Sequence, residues 1–216
     1  MDHGGTPVTS VAELEELVGQ PLPAARNKVR DRLHELDRAW LAASPLCFIA
    51  TADAAGNADV SPKGDPPGFA HVVDDRTIAL PERPGNRRAD GYRNILANPH
   101  VGLIFLIPGR GDTLRINGRA RIAVDEPFFD DLVVKGHRLQ LALVVDVGEV
   151  HYRCSKAFLR SAAWEPESWD ASVAPSRAQI ANAVERRDDS LEELEEYYGP
   201  RYADTIYRVP AAEERR

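Results

Sequence analysis

The chain has 216 residues and a formal net charge of −7, and 43% of its residues are hydrophobic. This composition is ordinary for a globular protein that can bury a core, and the acidic balance argues against a nucleic-acid binder. No apolar run approaches the roughly 18 residues that span a membrane, and the N-terminal residues lack a signal-peptide pattern. We therefore expect a cytoplasmic protein that contacts neither nucleic acid nor membrane.

Two helices are predicted before the first strand. Ser10 and Glu13 have the spacing of a capping box, and Gly19 is a stop signal for the short helix that follows them. A longer helix is predicted over residues 24–43, because apolar side chains recur there at helical spacing.

The pattern then changes to that of β-strands. Apolar and alternating runs between turn residues predict about six to eight strands, with a bulge at Gly148. The strand-like segments are residues 46–64, 69–81, 100–109, 112–124 and 139–154. Because these strands do not alternate regularly with helices, they predict a closed antiparallel barrel with the major helices outside it. The segment 100–109 is apolar on both faces, so both faces must be covered.

The loop that leads into a helix ending near Asn98 is unusually basic. Arg83, Arg87 and Arg88 surround a Pro-Gly turn, and Asn86 precedes the last two arginines where the helix is expected to begin. Guanidinium groups and unpaired backbone N–H groups at a helix start are typical of a phosphate site. A solvated surface loop explains the same residues equally well.

A second basic segment follows a predicted strand. Ser61 and Lys63 are two residues apart, so in an extended strand both side chains project from one face. Together with Arg87 and Arg88 they could hold a phosphate through charge-assisted hydrogen bonds. The alternative is an exposed lysine at the end of a strand.

Other kinds of site find little support in the sequence. None of the six histidines has a ligand spacing with another histidine or a cysteine, so no metal site is predicted. Ser61 has no neighbouring His-Asp pattern, which argues against nucleophilic catalysis. Cys47 and Cys154 are predicted to be reduced, buried thiols.

Residues 40–165, by the order and spacing of these segments, resemble the pyridoxamine 5′-phosphate oxidase-like superfamily of FMN-binding split β-barrels. The resemblance implies a mainly β fold with flanking helices, a split antiparallel β-barrel, and a homodimer with FMN at the subunit interface. The family's flavin-binding strand corresponds to Val60, Ser61 and Lys63. Its Gly-Ser-Arg-Lys phosphate turn corresponds to Gly85, Asn86, Arg87 and Arg88.

The resemblance also implies contacts from later in the chain. Thr113 stands where family members often contact the flavin ring from the partner subunit. The stretch from His151 to Trp164 is similar to a motif of one branch of the superfamily and implies further residues near the flavin cleft. These residues are Lys156, Arg160, Ser161 and Trp164.

The resemblance predicts three segments and a function. N-terminal helices pack on the barrel over residues 1–44, the FMN-binding core covers 45–165, and a loop and helical tail cover 166–216. The tail lacks the Arg-Leu-rich ending of true pyridoxamine phosphate oxidases, so vitamin B6 oxidation is not expected. We expect an FMN-dependent oxidoreductase acting on an unidentified small molecule. The alternatives are an F420-dependent reductase, whose cofactor could use Arg110, Arg115 and Arg119, and a non-catalytic flavin-binding protein.

Overall fold

The computed structural model describes residues 5–207. Its α-helices are α1 (Val11–Val18), α2 (Pro23–Arg26), α3 (Glu35–Ala43), α4 (Asp90–Ala97), α5 (Lys156–Ser161), α6 (Arg177–Ile180) and α7 (Leu191–Tyr197). Its strands are β1 (Leu46–Ala52), β2 (Ala58–Gly64), β3 (His71–Val72), β4 (Thr77–Pro81), β5 (His100–Leu106), β6 (Thr113–Ala123) and β7 (Ala142–Arg153). Short 3₁₀ helices cover Pro127–Leu132, Pro166–Ser168, Ala171–Val173 and Pro200–Thr205, and a π-helical turn covers Ala181–Glu185. The ends of the first and third predicted segments, residues 1–4 and 208–216, lie outside the described residues.

The strands form one seven-stranded antiparallel sheet in the order β2-β1-β5-β6-β7-β4-β3. The sheet curls around a core to which its long strands each contribute buried side chains, among them Ile49, Phe105, Leu114 and Leu143. Strand β2 does not pair with β3, so the hydrogen-bonded ring predicted as a closed barrel is not completed within residues 5–207. The predicted mainly β fold with flanking helices is confirmed.

The predicted bulge at Gly148 is confirmed by the pairing of β6 with β7. Asn117 pairs with Glu149 and Gly118 pairs with Val147, so Gly148 is the extra residue on β7. At Gly118 the two backbones approach so closely that a Cβ atom would lie 2.1 Å from the carbonyl oxygen of Asp146. A glycine is therefore required on β6 at the point where the sheet bends.

The helix predicted over residues 24–43 is not continuous, because only its two ends, α2 and α3, are helical. Between them the chain turns, and the backbone N–H and carbonyl of Arg30 pair with Val150 of β7. Helix α3 then begins with its own capping box, in which His34 and Asp37 cap each other's backbone. Arg30 also donates to Asp37 at 2.5 and 3.0 Å. Tertiary pairing at the edge of β7 thus overrides the helical pattern of the sequence.

The first helix is capped as predicted but buries no side chain. Ser10 accepts a hydrogen bond from the backbone N–H of Glu13, and Gly19 ends the helix with a φ of 80°, as predicted. None of the residues of α1 is buried. None of the helices within the described residues is long and apolar enough to cross a membrane.

Candidate functional site

Strand β2 forms one edge of the sheet and presents two of the predicted residues to the same side. Ser61 is opposite Ile49 and Lys63 is opposite Cys47, and both partners are buried in the core. Val60 lies on the other face of the strand with 61% of its surface exposed. The prediction that Ser61 and Lys63 share a face is therefore confirmed, while Val60 could meet the same ligand only through its backbone.

The basic loop lies between β4 and α4. Helix α4 begins at Asp90, later than the expected start near Asn86. Arg87 and Ala89 have φ angles of 63° and 55°, in the left-handed region, and the Asn86 side chain accepts a hydrogen bond from the Arg88 N–H at 3.1 Å. Two left-handed residues so close together turn the chain sharply, so neighbouring side chains of the loop face different directions.

A cavity of about 510 Å³ lies where the β2 edge, this loop and the start of α4 meet. Four of the predicted residues line it together, namely Ser61, Lys63, Asn86 and Arg88. Its wall also includes the apolar side chains of Ile49, Ile95 and Leu143. A hydroxyl, an amide and two cations beside an apolar wall are the groups that an aromatic cofactor bearing a phosphate requires.

Carboxylates hold both cations of this cavity. Lys63 forms an ion pair with Glu82, and the Tyr92 hydroxyl donates to the same carboxylate. The Arg88 guanidinium donates to Asp90 at 2.6 Å. Burial, together with the charge of Glu82 and the hydrogen bond to it, raises the pKa of Tyr92, so the phenol remains a donor. An anion must compete with these carboxylates for Lys63 and Arg88.

Sequence reasoning missed Glu82 and Tyr92. Glu82 follows β4 and Tyr92 lies on α4, and their common partner Lys63 is on β2. The three residues are separated in sequence and have no motif spacing. They come together only because the sheet curls and brings β2 close to the end of β4 and to α4.

Arg87 and Arg83 do not line this cavity. Arg87 lines a second cavity on the other side of the loop. Arg83 donates to Asp65 at 2.5 Å and to the carbonyl of Leu132 at 2.8 Å. The Asp65 side chain is 1% exposed, so Arg83 serves to neutralise a buried carboxylate.

The residues predicted from later in the chain lie elsewhere in the single chain. Thr113 is buried at the start of β6, which is separated from β2 by β1 and β5. The Trp164 indole donates to the carbonyl of Arg110 at 2.7 Å and stacks on Phe158. Lys156, Arg160 and Ser161 are exposed on α5. None of these five predicted residues, nor the three arginines considered for F420, is among the described residues that line the first cavity.

The cysteines differ from each other. Cys47 is buried in the core, and burial raises the pKa of its thiol to about 12. Cys154 is exposed, contrary to the prediction that both thiols are buried, because it follows the end of β7. Among residues 5–207 there is no group of three or more histidine, cysteine or acidic side chains that could hold a metal ion.

Comparison with known proteins connects this fold to a family. The family profile described as Pyridoxamine 5'-phosphate oxidase matches residues 33–154, more than half of the chain. No curated protein matches. One similar solved structure is HupZ of Group A Streptococcus, 18% identical over 55% of this chain and 91% of its own, with a TM-score of 0.44.

Two further solved structures give similar values. A Clostridium acetobutylicum protein related to general stress protein 26, of the pyridoxinephosphate oxidase family, is 14% identical over 55% of this chain and 86% of its own, with a TM-score of 0.42. The heme storage protein HutZ of Vibrio cholerae is 15% identical over 56% of this chain and 94% of its own, with a TM-score of 0.39. The family assignment rests on the profile match.

Proposed function

Because the chain belongs to the pyridoxamine 5'-phosphate oxidase family, we propose that it is an FMN-dependent oxidoreductase acting on a small molecule. The observation that carries this proposal is the cavity in which Ser61, Lys63, Asn86 and Arg88 meet beside an apolar wall. When bound, FMN supplies hydride chemistry through its ring. The chain then needs no nucleophile of its own.

The lining of the cavity supports FMN in particular. Asn86 and Arg88 lie on the basic loop directly before α4, where a phosphate would also meet the positive end of the helix dipole. Lys63 binds either the phosphate or the N1/C2 oxygen edge of the ring. Glu82 and Tyr92 hold the Lys63 ammonium at this edge of the sheet, where Glu82 competes with either group for it.

We further propose a homodimer that completes the flavin site. Phe48 pairs with Pro62 and with Ile104, so the three side chains form a row on the outer face of the sheet. Phe48 is 38% and Ile104 41% exposed, and Val60 lies exposed on the same face. A partner subunit would cover this apolar face and could bring its own Thr113 and Trp164 to the flavin.

The absorbance spectrum of the purified protein tests the cofactor most directly. A flavin spectrum, with FMN identified by mass in the released cofactor, supports the proposal. A deazaflavin spectrum would instead support an F420-dependent reductase. Flavin reduction by NADH or NADPH then separates an enzyme from a flavin-binding protein without turnover.

A further inference from the structure

The second cavity, of about 400 Å³, lies on the opposite side of the basic loop from the proposed flavin site. The two cavities share Glu82 and Gly85 in their walls. The remaining walls of the second cavity come from the loop itself, from the segment 137–141 before β7, and from Tyr207. The proposed flavin function uses none of the side chains that are specific to this cavity.

Cations outnumber carboxylates in its wall, whereas the reverse holds in the first cavity. Three guanidinium groups line the second cavity, those of Arg83, Arg87 and Arg138, against one carboxylate, Glu82. The first cavity has two cations, Lys63 and Arg88, against three carboxylates. The lining of the second cavity therefore favours an anionic ligand.

The three arginines are not equivalent. Arg83 is held by the buried Asp65 and cannot turn toward a ligand. Arg138 bonds to Asp125 and Asp130, whose side chains are 85% and 77% exposed. Exposed ion pairs of this kind contribute little stability, so Arg138 can redirect donors to an anion inside the cavity. A carboxylate suits the forked geometry of a guanidinium.

Flat and apolar surfaces accompany these charges. The rings of Tyr207 and His137 lie nearly parallel, with an interplanar angle of 15° and centroids 6.1 Å apart. The Tyr207 hydroxyl donates to Asp65, which fixes the ring beside the end of β2. Leu139 and Leu141 add apolar surface. Such a wall suits a planar hydrophobic group better than a small inorganic anion.

We propose that this cavity is a second ligand site, distinct from the flavin site, that binds a planar organic anion such as an aromatic carboxylate. Arg138 meets the carboxylate, and Tyr207, His137 and the two leucines meet the ring. The site does not depend on the identity of the cofactor, because its own residues supply both charge and apolar surface.

Calorimetric titration of the full-length protein, with flavin removed and again with FMN present, tests this site with benzoate as the probe. Saturable binding of one benzoate per chain is expected in both states, and cyclohexanecarboxylate, which is not planar, should bind more weakly. Arg138→Ala should weaken benzoate binding about tenfold, since it removes a charge-assisted hydrogen bond. Arg121→Ala, which removes another exposed, ion-paired arginine that does not line this cavity, should leave benzoate binding unchanged.

Two further variants test whether benzoate binds in the second cavity or in the first. Tyr207→Leu should weaken benzoate binding while the circular dichroism spectrum stays native, and Arg88→Ala in the first cavity should not affect it. The proposal is overturned if benzoate does not bind, or if it binds Arg138→Ala as tightly as the unchanged protein. It is equally overturned if Arg88→Ala abolishes benzoate binding, because the probe would then occupy the proposed flavin cavity.

Discussion

Lys63 and Glu82 form an ion pair that joins the edge strand β2 to the residue after β4, close to where the sheet fails to close. The Glu82 carboxylate also accepts a hydrogen bond from the hydroxyl of Tyr92 on α4. It therefore fixes the relative positions of the three elements that surround the proposed flavin cavity. At the same time, it places a carboxylate beside the cation that an anionic cofactor needs.

Replacement of that carboxylate should strengthen cofactor binding. In Glu82→Gln, Lys63 loses its competing partner and the cavity loses one negative charge, so FMN should bind about tenfold more tightly. Titration of flavin-free protein with FMN and riboflavin measures the change. Tighter binding of FMN alone assigns Lys63 to the phosphate, whereas tighter binding of both assigns it to the ring. Weaker or unchanged FMN affinity would refute the predicted competition. Glu126→Gln is the control, because Glu126 is another ion-paired carboxylate of similar exposure that does not line the cavity.

Arg83 should matter for stability. Arg83→Ala leaves the buried Asp65 carboxylate without its cation, so the free energy of unfolding should fall by about 3 kcal/mol. Denaturant unfolding monitored by circular dichroism measures this loss. Arg121→Ala, whose ion pair is more exposed, should change the free energy by less than about 1 kcal/mol. Equal losses of unfolding free energy in the two variants would show that the Arg83–Asp65 pair stabilises the fold no more than a surface ion pair does.

The Arg30–Asp37 pair should make stability depend on pH. Burial alone would raise the pKa of Asp37, but the hydrogen bonds from Arg30 and from the His34 N–H outweigh it and lower the pKa. The folded state therefore favours the carboxylate, and its contribution is present above about pH 4 and lost as the pH falls through the lowered pKa.

The variant Asp37→Asn isolates this contribution. It should reduce the free energy of unfolding by about 2 kcal/mol at pH 7, and the difference from the unchanged protein should shrink as the pH falls below about 4. Urea unfolding across this pH range measures both curves. A difference that stays constant with pH would contradict an ionised, stabilising Asp37.

The outer face of the sheet should be an interface between subunits. Ile104→Asp places a charge in the exposed apolar row and should convert the dimer to a folded monomer in sedimentation velocity. Leu96→Asp is the matched control, because Leu96 is also exposed but lies on α4. An unchanged protein that sediments as a stable monomer at micromolar concentration would contradict the dimer itself.

The sequence predicted those features that depend on local pattern. Alternation placed Ser61 and Lys63 on one face of β2, and the glycine in an otherwise apolar strand marked the bulge at Gly148. The helix predicted over 24–43 failed because Arg30 pairs with Val150, which is distant in sequence. Local spacing cannot reveal such a contact.

The site shows the same division. The sequence identified Arg87 and Arg88 as parts of one basic loop. They line different cavities because the backbone is left-handed at Arg87 and Ala89, and the sequence pattern did not predict these angles. The carboxylates of Glu82 and Asp90 reach Lys63 and Arg88 only once the sheet has curled and α4 has begun. The sequence therefore could not predict that carboxylates pair with both cations of the cavity.

We propose that the cavity lined by Ser61, Lys63, Asn86 and Arg88 holds the phosphate of FMN. The most direct test is the titration of flavin-free Arg88→Ala with FMN and with riboflavin, which has no phosphate. The matched control is Arg93→Ala, since Arg88 and Arg93 both lie within 4.0 Å of Asp90 and their side chains are 76% and 74% exposed.

We expect Arg88→Ala to weaken FMN binding about tenfold to a hundredfold, the effect of one charge-assisted hydrogen bond, and to leave riboflavin affinity unchanged. Arg93→Ala should bind both as the unchanged protein does, and Arg87→Ala should affect FMN less than Arg88→Ala. If Arg88→Ala binds FMN as tightly as Arg93→Ala does, the basic loop is a solvated turn and the phosphate is held elsewhere.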